Sequence, residues 1–187
     1  GELDVDSVSR GLAQRLARVH QVPAVKDWLD RKAQVRTRIE LPLAQRSPYF
    51  CSGCPHNSST KVSPETLVGA GIGCHAMVLL MDPRQVGDVA GVTQMGGEGT
   101  PWIGQAPFVD EPHVFANLGD GTYFHSGLLA IRASIASGVN ITYKVLYNDA
   151  VAMTGGQHVD GHLSVAQLTR QLAAEGIKKQ VIVTDEV

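Results

Sequence analysis

The sequence predicts an α/β domain of three layers, α/β/α, with a mostly parallel sheet at its centre. Three observations predict it. Residues 114–118 are a β-branched and apolar run, 123–137 carry a helical pattern, and 141–146 are a second apolar run, so strand, turn, helix and strand make one βαβ unit. Strand-like and helix-like stretches alternate through the rest of the chain after residue 48, as a parallel sheet covered on both faces requires. The composition, 43% hydrophobic and 18% charged over 187 residues, supplies a full core.

Taken in order, residues 1–47 read as a helical connecting segment and 48–187 as the main domain. Residues 5–19 form an amphipathic helix with Val8, Leu12, Leu16 and Val19 on one face. Residues 23–38 begin as a second helix, with Val25, Leu29 and Ala33 at helical spacing. Arg31, Lys32, Arg36, Arg38 and Arg46 make this part basic, which reads as a solvated face. Residues 41–48 are a linker with Pro42 and Pro48. A helix starts near Pro55, because proline is tolerated in a first turn. Residues 66–72 read as a strand running into Gly69, Gly71 and Gly73. One or two helical turns over 76–81 are halted by Asp82-Pro83. A short strand over 87–93 precedes a glycine-rich loop over 94–105. Gly138 closes the helix of the βαβ unit. Ser164 is an N-cap for a helix through Glu175, closed by Gly176. Residues 180–184 read as a buried strand, so the domain is expected to continue past Val187.

Several function classes lose support from composition. A net charge of −2 gives no electrostatic case for nucleic acid or an anionic membrane. No apolar run approaches the ~20 residues of a membrane span. The opening Gly1-Glu2-Leu3-Asp4 is not a secretory signal, and a cytoplasmic location is expected. The three cysteines are an odd number, and two form Cys51-Ser52-Gly53-Cys54, which favours metal or redox chemistry over structural disulfides.

The βαβ unit holds the chemistry. Gly119-Asp120-Gly121-Thr122 follows its first strand and Asn148-Asp149-Ala150 its second. Parallel neighbours would bring Asp120 and Asn148 together at carboxyl strand ends, where open α/β sheets bind ligands. A carboxylate and an amide oxygen are hard ligands suited to Mg²⁺ with a phosphate in its shell. Glycines let backbone approach a phosphate. The plainer alternative is a surface turn, since Asp-Gly is also a hairpin sequence. As a ligand at a loop tip, Asp120 is expected to carry little packing.

Cys51, Cys54 and Cys74 are one thiolate short of a tetrahedral zinc site or a cubane cluster. His56 or His75 would complete a zinc site, and a cysteine past Val187 would complete a cluster. A thioredoxin-like dithiol is a third reading. Gly69-x-Gly71-x-Gly73 lacks the Gly-x-Gly-x-x-Gly spacing of a dinucleotide fold. The non-enzymatic alternative is a zinc-stabilised interaction module.

Four motifs agree in order and spacing with a known family. They are Cys-x-x-Cys, then Gly71-Ile72-Gly73-Cys74, then Gly119-Asp120-Gly121, then Asn148 with Thr154-Gly155-Gly156-Gln157 behind it. Together they resemble the thiamine diphosphate-dependent 2-oxoacid:ferredoxin oxidoreductases. Within that family, Phe50 to Asn57, Gln94-Met95-Gly96-Gly97-Glu98-Gly99 and Asn117 to His125 look most similar to the indolepyruvate ferredoxin oxidoreductases, in their fused single-chain form. The resemblance covers about 48–186.

The resemblance implies a thiamine diphosphate-binding fold and a reaction. A 2-oxoacid is decarboxylated oxidatively, coenzyme A takes the acyl group, and electrons leave through a [4Fe-4S] cluster to ferredoxin. It implies Mg²⁺ ligation by Asp120, Asn148 and the Ala150 carbonyl. It sets Gly119, Gly121, Thr122, Ala152 and Met153 around the diphosphate, with Met153 as apolar support. Gly73, Cys74, His75, Gly96 and Gly97 would line the thiazolium side. Cys51, Cys54 and Cys74 would hold the cluster, with its fourth ligand outside this chain. Glu98 is read first as a structural or substrate-side group and second as an acid or base. His125 is read as a proton shuttle or as a hydrogen-bond donor behind the phosphate turn. A pyrimidine-binding domain is expected elsewhere in the full chain, and the complete enzyme is expected to be a homo-oligomer.

Overall fold

The structure, a computed structural model, describes residues 4–20, 22–34, 49–161 and 163–184. The chain divides into two compact units, Gly1–Arg46 and Ser47–Val187. In the first, α1 (Val5–Leu16) is capped by Asp4, whose side chain accepts the Ser7 N–H. The second helix, α2 (Pro23–Gln34), meets α1 through Lys32, which pairs with Asp6 at 2.9 Å. The face of Val8, Leu12, Leu16 and Val19 is exposed, and of α1 only Ala13 is buried. The extension of α2 to residue 38, the linker at 41–48 and His162 lie outside the described residues.

The second unit opens with α3 (His56–Ser59), β1 (Leu67–Ala70), a 3₁₀ helix over Cys74–Leu80, α4 (Pro83–Val86) and β2 (Asp88–Val92). Next come α5 (Thr100–Gln105), β3 (Val114–Gly119), α6 (Asp120–Thr122), a π-helical segment over Tyr123–Gly127, α7 (Leu128–Ser137) and β4 (Ile141–Leu146). A small hairpin of β5 (Ala150–Val151) and β6 (Gln157–His158) precedes α8 (Val165–Glu175). The described residues form a four-stranded sheet in the order β2-β1-β3-β4, parallel throughout. This is the expected α/β architecture, and β3 pairs with β4 from Val114↔Ile141 to Gly119↔Leu146.

Side chains alternate across the strands and divide the core in two. On one face, Ala70 packs with Phe50, Val78, Met81 and Val86 under the 3₁₀ helix and α4. The same face carries Lys144, whose ammonium donates to the Ser59 and Lys61 carbonyls and so ties the end of α3 to β4. On the other face, Leu118 packs with Tyr123, Ile131, Leu168 and Leu172, from the helical run after β3 and from α8. Ser164 caps α8 in a full capping box with Gln167, and Gly176 ends it in a left-handed conformation, as the sequence indicates.

One local expectation is extended and two are corrected. The 3₁₀ helix over Cys74–Leu80 does end just before Asp82-Pro83, and the same pair starts the next helix, with Asp82 as the cap of α4 and Pro83 in its first turn. Residues 100–105 are not loop but α5, started by Pro101 in its first turn and held by Trp102 Nε1 donating to the Asn140 carbonyl. Residues 180–184 are not a buried strand, since Val181, Ile182 and Val183 are 71%, 61% and 88% exposed. A β-branched run becomes a strand only beside another strand that takes its N–H and C=O groups. Among the described residues none pairs with it, and β4 pairs with β3 alone.

Candidate functional site

The βαβ unit folds so that its two loops meet. Gly119 leaves β3 in an extended conformation, and an unbroken helical run then extends from Asp120 through the π segment to Ser137. The first N–H groups of such a run have no partner within the helix and favour an anion. Beside it, β4 ends at Leu146 and turns through Asn148. Asp120 bridges the two loops. Its Oδ1 accepts the Gly121 N–H at 2.9 Å, and its Oδ2 accepts the N–H groups of Asn148 at 3.1 Å and Asp149 at 2.6 Å. Asn148 Oδ1 accepts the Ala150 N–H at 3.2 Å. Asp149 is left-handed at φ 54°, a conformation uncommon without glycine, and its N–H is the one Asp120 holds most closely. Asp120 is only 8% exposed, so the expectation that it carries little packing is wrong. The carboxylate is a clamp between strand ends.

The β5–β6 hairpin covers this turn. A Cβ built on Gly121 would meet Val151 at 3.7 Å and Val159 at 3.8 Å. Thr154 and Gln157 close the Thr-Gly-Gly-Gln loop: Thr154 Oγ1 donates to Gln157 Oε1, and Gln157 Nε2 donates back to the Thr154 carbonyl. Ala152 opens the short 3₁₀ turn inside the hairpin, and Met153, expected as an apolar support, is 54% exposed there.

One strand over, at the carboxyl end of β1, a second group of polar residues is buried. His75, Glu98 and Asn117 each keep a buried side-chain atom without a hydrogen-bond partner: Nε2, Oε1 and Oδ1. Burial pushes the His75 imidazole down to about 4, and neighbouring His56 adds to the shift. Burial lowers His56 as well, while the Asp120 charge opposes the change. Burial raises the Glu98 carboxyl, against the pull of the Gly96 N–H and of His125. His125 itself is exposed on the π segment and shares a 2.7 Å hydrogen bond with Ser126 Oγ. Gly73, Gly96 and Gly97 carry the backbone past these groups, with a Cβ at Gly73 falling 3.2 Å from His75 Nδ1.

The cysteines gather on the face with Phe50. Cys54 and Cys74 pack against that core cluster, and Cys51 is exposed. Asn57 Nδ2 donates to the Cys51 and Cys54 carbonyls at 3.0 and 3.1 Å and holds the turn. Burial raises the Cys74 thiol, and Cys54 and Cys51 add to it. The three thiols are free. Among the described residues no three His, Cys, Asp or Glu side chains converge tightly enough to hold a metal ion.

Residues 71–179, more than half of the chain, match the family profile described as thiamine pyrophosphate enzyme, C-terminal TPP binding domain. The chain belongs to the thiamine pyrophosphate enzyme family. The matched span starts at Gly71 and takes in the Asp120 clamp, the hairpin and α8. The indolepyruvate oxidoreductase subunit IorA of Thermococcus kodakarensis is 30% identical over 144 residues, 69% of this chain and 22% of the relative. The subunit of that name from Methanothermobacter marburgensis is 26% identical over 163 residues, 75% of this chain and 26% of the relative. The chain therefore spans about a quarter of the length of these curated relatives. No solved structure matches it.

Membership in the thiamine pyrophosphate enzymes removes the dinucleotide and zinc-module alternatives and gives the clamp a ligand to fit. Asp120 and Asn148 set hard oxygen donors at two neighbouring strand ends: Asp120 Oδ1 and Asn148 Oδ1 each accept one N–H and keep a second lone pair, while Asp120 Oδ2 is taken up by the Asn148 and Asp149 N–H groups. A Cβ built on Gly119 meets nothing within 4 Å, so the entry to the turn is open. The residues present suit a metal–diphosphate group.

Some of the buried polar residues had a signal in the sequence. Asn117 interrupts an apolar central strand, which marks a polar group in a buried place. The half-buried Ser126, hydrogen-bonded to His125, had none, because its place depends on the π segment.

Proposed function

We propose that this chain is the diphosphate-binding domain of a 2-oxoacid:ferredoxin oxidoreductase, with indolepyruvate as the 2-oxoacid class. The single observation that carries the reading is the meeting of Asp120 and Asn148 at neighbouring strand ends inside a thiamine pyrophosphate enzyme domain. The names of the two relatives, both indolepyruvate oxidoreductase subunits, support the substrate class.

In this reading Asp120, Asn148 and the Ala150 carbonyl hold Mg²⁺. Gly119, Gly121 and Thr122 receive the diphosphate from the helix side, and Ala152 and Met153 from the hairpin side. Gly73, Cys74, His75, Gly96 and Gly97 line the thiazolium end. Bound thiamine diphosphate supplies a nucleophilic carbon and an electron sink for decarboxylation. The chain's own residues orient that group, exclude water from it, and neutralise the diphosphate through metal and helix. CO₂ leaves, coenzyme A takes the acyl group and ferredoxin takes two electrons, one at a time.

The [4Fe-4S] cluster on Cys51, Cys54 and Cys74 rests on the resemblance alone, because the thiols do not converge as a metal-holding group. The function is tested by turnover of aryl 2-oxoacids with coenzyme A and ferredoxin in the full-length protein. CO₂ release that needs thiamine diphosphate is expected. Turnover without added or bound thiamine diphosphate would overturn the reading.

A further inference from the structure

Glu98 is buried to 1% exposure, and one of its two carboxyl oxygens has no partner. The other, Oε2, accepts the Gly96 N–H at 2.7 Å. The Glu98 carbonyl accepts the Tyr143 hydroxyl at 2.9 Å. Two glycines make room for this arrangement. Gly96 stands at φ 88°, where other residues are strained, and a Cβ on Gly71 would lie 2.5 Å from Glu98 Oε1. The fold fixes both the backbone and one oxygen of Glu98 and leaves the second oxygen buried without a hydrogen-bond partner.

The chemistry of that oxygen follows from its surroundings. In the protonated carboxyl the oxygen that accepts the Gly96 N–H is the carbonyl oxygen, which places the proton of that form on Oε1. Burial favours that protonated form. The titratable groups facing it are His125 from the π segment and Tyr143 from β4, and Tyr143 is pushed up to about 12 and stays neutral. The O–H on Oε1 therefore needs an acceptor that the described fold does not provide.

Placement gives the acceptor. Gly71 follows β1, and β1 lies beside β3, which lies beside β4. A ligand anchored between Asp120 and Asn148 that runs across the strand ends would reach β1 after about one and a half strand spacings, ~7 Å. The far end of such a ligand would come beside Gly71, which packs on Glu98.

We propose that Glu98 is a catalytic residue that touches the 2-oxo oxygen of the substrate and donates a hydrogen bond to it from Oε1. The proposal rests on the 2-oxoacid reading above. Gly71 and Gly96 are positioning residues for it.

The test uses the full-length holoenzyme with Glu98→Gln and Glu98→Leu. Thiamine diphosphate affinity with Mg²⁺ is read by calorimetry, and kcat/KM for the 2-oxoacid is read across pH. Glu98→Leu should lose on the order of 10²-fold in kcat/KM with cofactor affinity unchanged. Glu98→Gln keeps an acceptor for Gly96 and a donor for the substrate, so it should retain most activity at neutral pH. It should also lose the alkaline fall in kcat/KM that the wild type shows as the carboxyl ionises. A Glu98→Gln enzyme with the wild-type alkaline limb would overturn the proposal, and so would Glu98→Leu with unchanged kcat/KM. Loss of cofactor affinity equal to the loss of kcat/KM would also overturn it, by making Glu98 an anchor. A wild type that binds thiamine diphosphate but turns over no 2-oxoacid would overturn the underlying reading and the proposal together. That outcome differs from the others because it appears before any substitution.

Discussion

Asp120 Oδ2 accepts the Asp149 N–H at 2.6 Å, from the end of one strand to the loop after its neighbour. One carboxylate thus joins the two loops that frame the candidate diphosphate site, and Asn148 is held in the same contact. This gives Asp120 a structural weight besides its proposed role at the metal. Asp120→Ala removes the acceptor of three N–H groups. Hydrogen bonds to a charged group contribute about 1.5–3 kcal/mol each, and water recovers part of that. A loss of about 2 kcal/mol is expected, read as a lower urea midpoint.

Gly71 and Glu98 are coupled by space. Gly71→Ala places a methyl 2.5 Å from Glu98 Oε1 and 2.8 Å from its Cδ. Overpacking of this kind costs about 1–3 kcal/mol. The double variant Gly71→Ala, Glu98→Ala should recover much of that loss, because the clashing carboxyl is gone. Chemical denaturation of the four proteins of the cycle measures it. Additive losses would contradict the contact.

Glu98 also makes a pH prediction. Burial raises its carboxyl above the ordinary value of 4.5, so folding favours the protonated form. The stability this contributes is full below that ordinary value and is lost as pH rises through the raised one. Glu98→Gln cannot ionise. It should therefore gain stability relative to wild type as pH rises from 4 to 8, read by thermal unfolding at each pH.

Ser164→Ala removes the capping box of α8, which Ser164 and Gln167 close in both directions. A loss of about 1 kcal/mol is expected, with the circular dichroism of the folded state unchanged.

The central unit was legible because its signals are local. The apolar run of β3 and β4, Gly138 at the end of α7, and Ser164 and Gly176 around α8 each act within a few residues. The pairing of Asp120 with the 148–149 loop also followed, since neighbouring parallel strands place their ends together. What was missed depends on partners distant in sequence. Residues 181–183 have strand composition, but a strand exists only where another edge receives it. Aspartate and proline at 82–83 read as a stop, which they are for the 3₁₀ helix before them; that they also start α4 was not read. The burial of Glu98 with Oε1 unpartnered depends on Gly71, Gly96 and Tyr143 together, which no spacing rule brings to one point.

The account's central claim is that Asp120 and Asn148 hold a metal that holds the diphosphate. Calorimetric titration of thiamine diphosphate into wild type and Asp120→Asn, each with and without Mg²⁺, tests it most directly. The substitution keeps the shape and an acceptor for the 148–149 loop but removes the charge. Wild type should bind tightly only with Mg²⁺, and Asp120→Asn should bind weakly in both conditions. Equal affinity in all four titrations would contradict the claim and reduce Asp120 to a clamp between two loops.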